Sequence, residues 1–96
     1  MFMKKVEYIE MQKYYIEQMV TYLPAMRQVL KITQKQLAEK IGLTRQTIVS
    51  FENRQRPLPW NVYLSLVLFF QQHELSLNMI DKLNLFEAKI LREELQ

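Results

Sequence analysis

Ninety-six residues, 49% of them hydrophobic and 11% aromatic, are enough for one packed domain and too apolar for wholesale disorder. The absence of cysteine excludes disulfides, thiolate zinc sites and cysteine nucleophiles, and a single histidine leaves no set of metal ligands. Net charge is only +3, but seven basic residues (Arg27, Lys31, Lys35, Lys40, Arg45, Arg54, Arg56) and only two acidic ones (Glu39, Glu52) lie between Pro24 and Trp60, which is where a polyanion would bind.

One glycine and three prolines are too few punctuation residues for a set of hairpins, and apolar residues recur at three- and four-residue spacing. The expected fold class is therefore all-α. From Met3 to Tyr22, Val6, Ile9, Ile16, Met19 and Val20 with interleaved tyrosines predict one amphipathic helix. Pro24 suits a first helical turn, so a second helix is expected over Pro24 to Lys31. Thr33 is an N-cap for a third, Gln34 to Ile41, and Gly42 is the turn after it. Thr44 caps a fourth, Arg45 to Asn53, and Arg54 to Pro59 read as a loop. Trp60 to His73 predicts a largely buried fifth helix. Leu75 to Lys82 and Leu85 to Leu95 predict one or two more short amphipathic helices. These make a single domain over 1–96, divided into an N-terminal helix (1–22), a core (23–73) and a C-terminal extension (74–96).

Met1 to Glu10 runs into Glu7 and Glu10 without an apolar stretch, so no secretory signal is expected. Leu58 to Phe70 is interrupted by Pro59, Asn61 and Ser65 and is shorter than the roughly 18–20 residues of a membrane span. The expectation is a soluble, cytoplasmic protein with no membrane partner and no cofactor.

The stretch from Gln34 to Asn53 has what two short helices at a sharp turn require. Leu37, Ala38 and Ile41 form the inner face of the first, and Ala38 is small enough to admit the second. Gly42 makes the turn, and Ile48 and Phe51 lock the second helix in place. At about 100° per residue, Gln46, Val49, Ser50 and Asn53 fall opposite that inner face, and Arg45 projects from the first turn. A guanidinium, amides, a hydroxyl and a small alkyl group match the edges of guanine, adenine and thymine.

The run Thr33-Gln34-Lys35-Gln36-Leu37-Ala38-Glu39-Lys40-Ile41-Gly42-Leu43-Thr44-Arg45-Gln46-Thr47-Ile48, continued by Phe51-Glu52-Asn53, resembles the Cro/C1-type (lambda-repressor-like) helix-turn-helix. The likeness extends from about Leu23 to Phe70. It implies a lambda-repressor-like helical domain of five or so short helices, with the N-terminal and C-terminal helices as additions. It further implies that Arg45, Gln46, Thr47, Val49 and Ser50 are DNA-base-binding. Gln34, Lys35, Asn53, Arg54, Gln55 and Arg56 are implied to touch the DNA backbone. Arg27 and Glu52 match a structural ion pair joining the first and recognition helices. Arg54 departs from the pattern, since the family often has glycine there; either Asn53 ends the helix or Arg54 takes a conformational cost.

Each feature has a plainer reading. Glu52 and Arg27 are an ion pair before they are acid–base catalysts, because no nucleophile or partner carboxylate accompanies them. His73 reads as helix-end packing, Met11, Met19, Met26 and Met79 as core filler, and Trp60, Tyr63, Phe69 and Phe70 as core or interface. The resemblance implies a transcriptional regulator, a repressor, working as a homodimer on double-stranded DNA. The candidate dimer faces are Leu64, Val67, Leu68 and Leu83 to Leu91, or the tyrosine-rich first helix. The alternative is a DNA-binding antitoxin or adaptor whose terminal helices hold a partner protein. An enzyme is not expected, for want of a nucleophile–base pair, metal set or phosphate loop.

Overall fold

Local capping chemistry decides where the helices begin and end. In the computed structural model, which describes residues 4–83, five helices follow in order: α1 (Lys5–Val29), α2 (Gln34–Ile41), α3 (Arg45–Glu52), α4 (Trp60–Gln71) and α5 (Glu74–Leu83). At the start of α2, Thr33 Oγ1 accepts from the Gln36 amide at 3.0 Å while Gln36 Oε1 accepts from the Thr33 amide at 2.9 Å. At the start of α3, Thr44 Oγ1 accepts from the Thr47 amide at 3.2 Å. The described residues are all-helical, with no strand among them, as the sequence predicts.

Among the described residues, three helix ends turn through the left-handed region, yet the chain has one glycine. After α2, Gly42 takes φ +76° and the Leu43 amide donates to the Ala38 carbonyl at 2.8 Å. After α1, Lys31 holds φ +57°; its amide reaches Gln28 O and the Ile32 amide reaches Arg27 O. After α3, Arg54 holds φ +61° with the same pair of bonds, its amide to Phe51 O and the Gln55 amide to Ser50 O. These reverse bonds satisfy the last carbonyls of each helix, and both non-glycine residues carry the Cβ strain of that conformation.

The structure corrects the expectation of a separate helix at Pro24. Pro24 lies inside α1, which runs unbroken through the boundary drawn at residue 22. Proline in a helix interior removes one backbone bond and crowds the preceding turn. The tertiary gain opposes this: Tyr15, Met19, Val20, Leu23 and Met26 are all buried along one face of α1, and a break at Pro24 would divide them. Each such side chain contributes about 1.5–3 kcal/mol.

Around that stripe pack Leu37 and Ala38 of α2, Ile48 and Phe51 of α3, Leu58 of the loop, Tyr63, Leu66, Val67 and Phe70 of α4, and Ile80 of α5. Val67, a candidate for a dimer face, is therefore core, whereas Leu64 is half-buried and Leu68 is exposed. The first half of α1 meets α4 through rings: Trp60 stacks on Tyr63 at 4.6 Å, and Tyr8 meets Trp60 edge-on at 6.5 Å. Burial pushes the ionisation of the Tyr63 phenol far up, so it stays neutral. The α4–α5 turn is pinned by Ser76, whose buried hydroxyl lies 2.6 Å from Phe70 O and 3.1 Å from His73 O. His73 itself is exposed at the end of α4, its ring against Phe69 at 4.8 Å. The expected helix from Leu85 to Leu95 lies outside the described residues. Among those described, no helix is long and apolar enough to cross a membrane.

Candidate nucleic-acid interface

Burial of Ile48 and Phe51 against Leu37 and Ala38 fixes the rotation of α3 and so decides what it shows to solvent. Arg45, Gln46 and Asn53 are exposed and Val49 is half-buried. Among the described residues, neither Arg45 nor Gln46 has a side-chain hydrogen-bond partner. Thr47 is half-buried, its hydroxyl 2.9 Å from that of Thr44.

Ser50 departs from the expected set. It is 7% exposed, and its hydroxyl donates to the Gln46 carbonyl at 2.9 Å. The helical projection places it outward, but the chain doubles back after α3. The amides of Gln55 and Arg56 both donate to Ser50 O, and Arg56 Nη1 lies 3.5 Å from Thr47 Oγ1 one turn earlier. Ser50 is thus almost covered by the protein itself, with its hydroxyl bonded within α3.

A buried polar cluster sets α3 against the two helices before it. Glu52 accepts from Arg27 Nε at 3.0 Å, from Arg27 Nη2 at 3.2 Å and from Gln34 Nε2 at 3.1 Å. Arg27 Nη1 also donates to the Ile32 carbonyl at 3.2 Å. The side chains of Arg27 and Glu52 are 15% and 6% exposed, so the carboxylate is almost fully satisfied by protein groups. Arg27 and Glu52 are thus a structural ion pair, and Gln34, at the first position of α2, is oriented by the same carboxylate.

Of the remaining expected backbone contacts, Lys35, Gln55 and Arg56 are exposed around α3. Arg54 is not directed as the sequence suggests. Its Nη1 lies 2.8 Å from Glu17 Oε1 and its Nη2 donates to Thr21 Oγ1 at 3.0 Å, so the guanidinium is turned back onto α1. The hydrogen bond from Arg54, with the attraction of its charge, holds the Glu17 carboxyl below the usual carboxylate range and raises Arg54 in turn. Sequence reasoning missed Glu17 and Thr21 altogether. They share a helix face at i and i+4, but their partner lies more than thirty positions onward.

Two short helices, a left-handed glycine between them and an outward polar face on the second are now in place. Residues 25–59 match the family model described as helix-turn-helix. This segment, about a third of the chain, is a helix-turn-helix of the Cro/C1 type. No curated protein and no solved structure matches the chain with significance. The helix-turn-helix is a DNA-binding regulatory domain and not an enzyme family, which supports a DNA-binding regulator in general. The matched segment takes in the end of α1, all of α2 and α3, and the loop to Pro59. The first twenty residues of α1 and the whole of α4 and α5 lie outside it.

Proposed function

We propose that this chain is a sequence-specific, double-stranded-DNA-binding transcriptional repressor that inserts α3 into the major groove. The observation that carries the reading is the division of α3. Ile48 and Phe51 are buried, while Arg45, Gln46 and Asn53 stand exposed on the other side. A helix of this length spans about 12 Å, comparable to the width of the major groove. In this reading Arg45, Gln46 and Val49 read bases, and Thr47 lies at the margin of the contact. Gln34, Lys35, Asn53, Gln55 and Arg56 hold the sugar-phosphate backbone. The protein acts in the cytoplasm as a homodimer on a pseudo-palindromic operator, with half-sites about one helical turn apart. Residues 1–96 work as a single domain.

Selection of bound sequences from a random duplex pool tests this directly. A two-fold symmetric consensus is the expected outcome, and recovery of sequences no different from the input would refute sequence-specific binding. A second reading, an antitoxin or adaptor, is favoured by the exposure of Val6 (71%), Ile9 (40%) and Tyr14 (56%) on the first half of α1. Recovery of a stoichiometric partner protein with the chain purified from its native cell would support that reading.

A further inference from the structure

Arg54 combines two features that oppose each other. It sits at φ +61°, where glycine carries no Cβ strain, and it spends its side chain on Glu17 and Thr21 of a helix segment outside the helix-turn-helix match. Glycine would relieve the strain but would sever this link between α1 and the end of α3. The residues fastened by the link are the ones that follow it. The amides of Gln55 and Arg56 converge on Ser50 O, and the Arg56 guanidinium returns to Thr47. The conformation of the α3–α4 loop is therefore set at one end by the hydrogen bonds of α3's last turn and at the same end by a tether to α1.

Resting on the DNA-binding reading above, we propose that Glu17, Thr21 and Arg54 form a brace through which the N-terminal helix positions the phosphate-facing loop, without touching DNA themselves. Arg54 is a positioning residue, and the DNA charge is met by Arg56 and its neighbours. The accessory half of α1 thereby belongs to the DNA-binding apparatus. The brace is solvent-exposed, with 51% and 60% of the Arg54 and Glu17 side chains accessible, so its strength falls as salt rises.

The test uses the full chain and a fluorescein-labelled short random-sequence duplex, with affinity read by anisotropy across a salt series. Thr21→Val leaves the charge untouched, and Glu17→Gln makes the protein more positive. A brace predicts that both weaken binding about two- to fivefold at low salt, the range expected of an exposed charged contact, with the gap narrowing as salt rises and the slope of log affinity against log salt no steeper than in wild type. Glu17→Gln then loses affinity even though its added positive charge should favour DNA. The double exchange Glu17→Arg with Arg54→Glu keeps the net charge and restores the attraction, and it returns affinity to within about twofold of wild type. Circular dichroism melts of each variant separate loss of fold from loss of positioning. A Glu17→Gln protein that binds more tightly, with a slope steeper by about one, would make Arg54 a phosphate ligand held in check, and would overturn the proposal. So would unchanged affinity in Thr21→Val and Glu17→Gln. Wild type that fails to bind the duplex even at low salt would instead defeat the DNA-binding reading itself.

Discussion

Replacing Glu52 by alanine should destabilise the fold by about 3 kcal/mol, and the figure can be built from the geometry. The substitution removes three hydrogen bonds to a carboxylate that is 6% exposed. It leaves the Arg27 guanidinium, only 15% exposed, with the Ile32 carbonyl as its remaining partner. Hydrogen bonds to charged groups contribute about 1.5–3 kcal/mol each but do not add, and stripping one partner from a buried pair costs about 3–5 kcal/mol. The residual exposure of Arg27 puts this pair at the lower end. For a domain of this size, about 3 kcal/mol is a fall of roughly 12–24 °C in Tm. Urea denaturation followed by circular dichroism at neutral pH reads the loss directly as a lowered midpoint. The penalty is one of isolation, not of missing bulk. Arg27→Met combined with Glu52→Leu should therefore recover to within about 1 kcal/mol of wild type. The reasoning fails if Glu52→Ala alone lies within about 1 kcal/mol of wild type, or if the double substitution is as damaging as the single one.

Gln46→Ala should relax base preference at one operator position, at a cost of about 1–3 kcal/mol, measured on a panel of single-base variants; unaltered discrimination would remove Gln46 from the reading face. Arg56→Ala should weaken all duplexes about equally and flatten the salt slope by about one, whereas a loss confined to one sequence would mark it as a base contact. Lys31→Gly should raise stability by about 0.5–1 kcal/mol in urea, because it relieves a left-handed Cβ at an exposed site. Destabilisation by the same amount would show that the strain at Lys31 is negligible. The Glu17 carboxyl is depressed by Arg54, so the tether is complete above the ordinary carboxylate pKa near 4.5 and is lost as pH falls through the lower folded value. Carboxyl NMR titration should show the Glu17 midpoint below 4.5 in wild type and shifted upward in Arg54→Gly; identical midpoints would mean no tether in solution.

The parts of the fold legible in the sequence are those governed by neighbours a few positions away. Thr33 and Thr44 each cap the helix they precede, Gly42 takes the left-handed turn, and Ile48 and Phe51 face inward because their spacing demands it. Where the structure departs from the expectation, packing that no local rule describes is the cause. Pro24 obeys a local preference for helix starts only when nothing stronger opposes it, and the buried stripe from Tyr15 to Met26 does oppose it. Ser50 lies outward on a helical projection, which carries no account of the turn that closes on its carbonyl or of the packing that buries its side chain. Arg54 carries a charge suited to phosphate, but its partner is on another helix, beyond any periodicity argument. The Tyr8–Trp60 contact likewise joins distant positions, whereas the buried Ser76 hydroxyl bonds carbonyls only six and three positions back, which no apolar spacing marks.

The proline inside α1 also bears on how the molecule opens. Residue 24 offers no amide proton, so the Val20 carbonyl lacks the rung that every other interior position of an α-helix receives. The long helix is thus two hydrogen-bonded ladders sharing one axis, with a weak seam on the N-terminal side of Met26 and Arg27. Fraying that starts at Lys5 can travel to the seam, parting the ring contacts with α4, while the Arg27–Glu52 clasp still holds the end of α1 to α3.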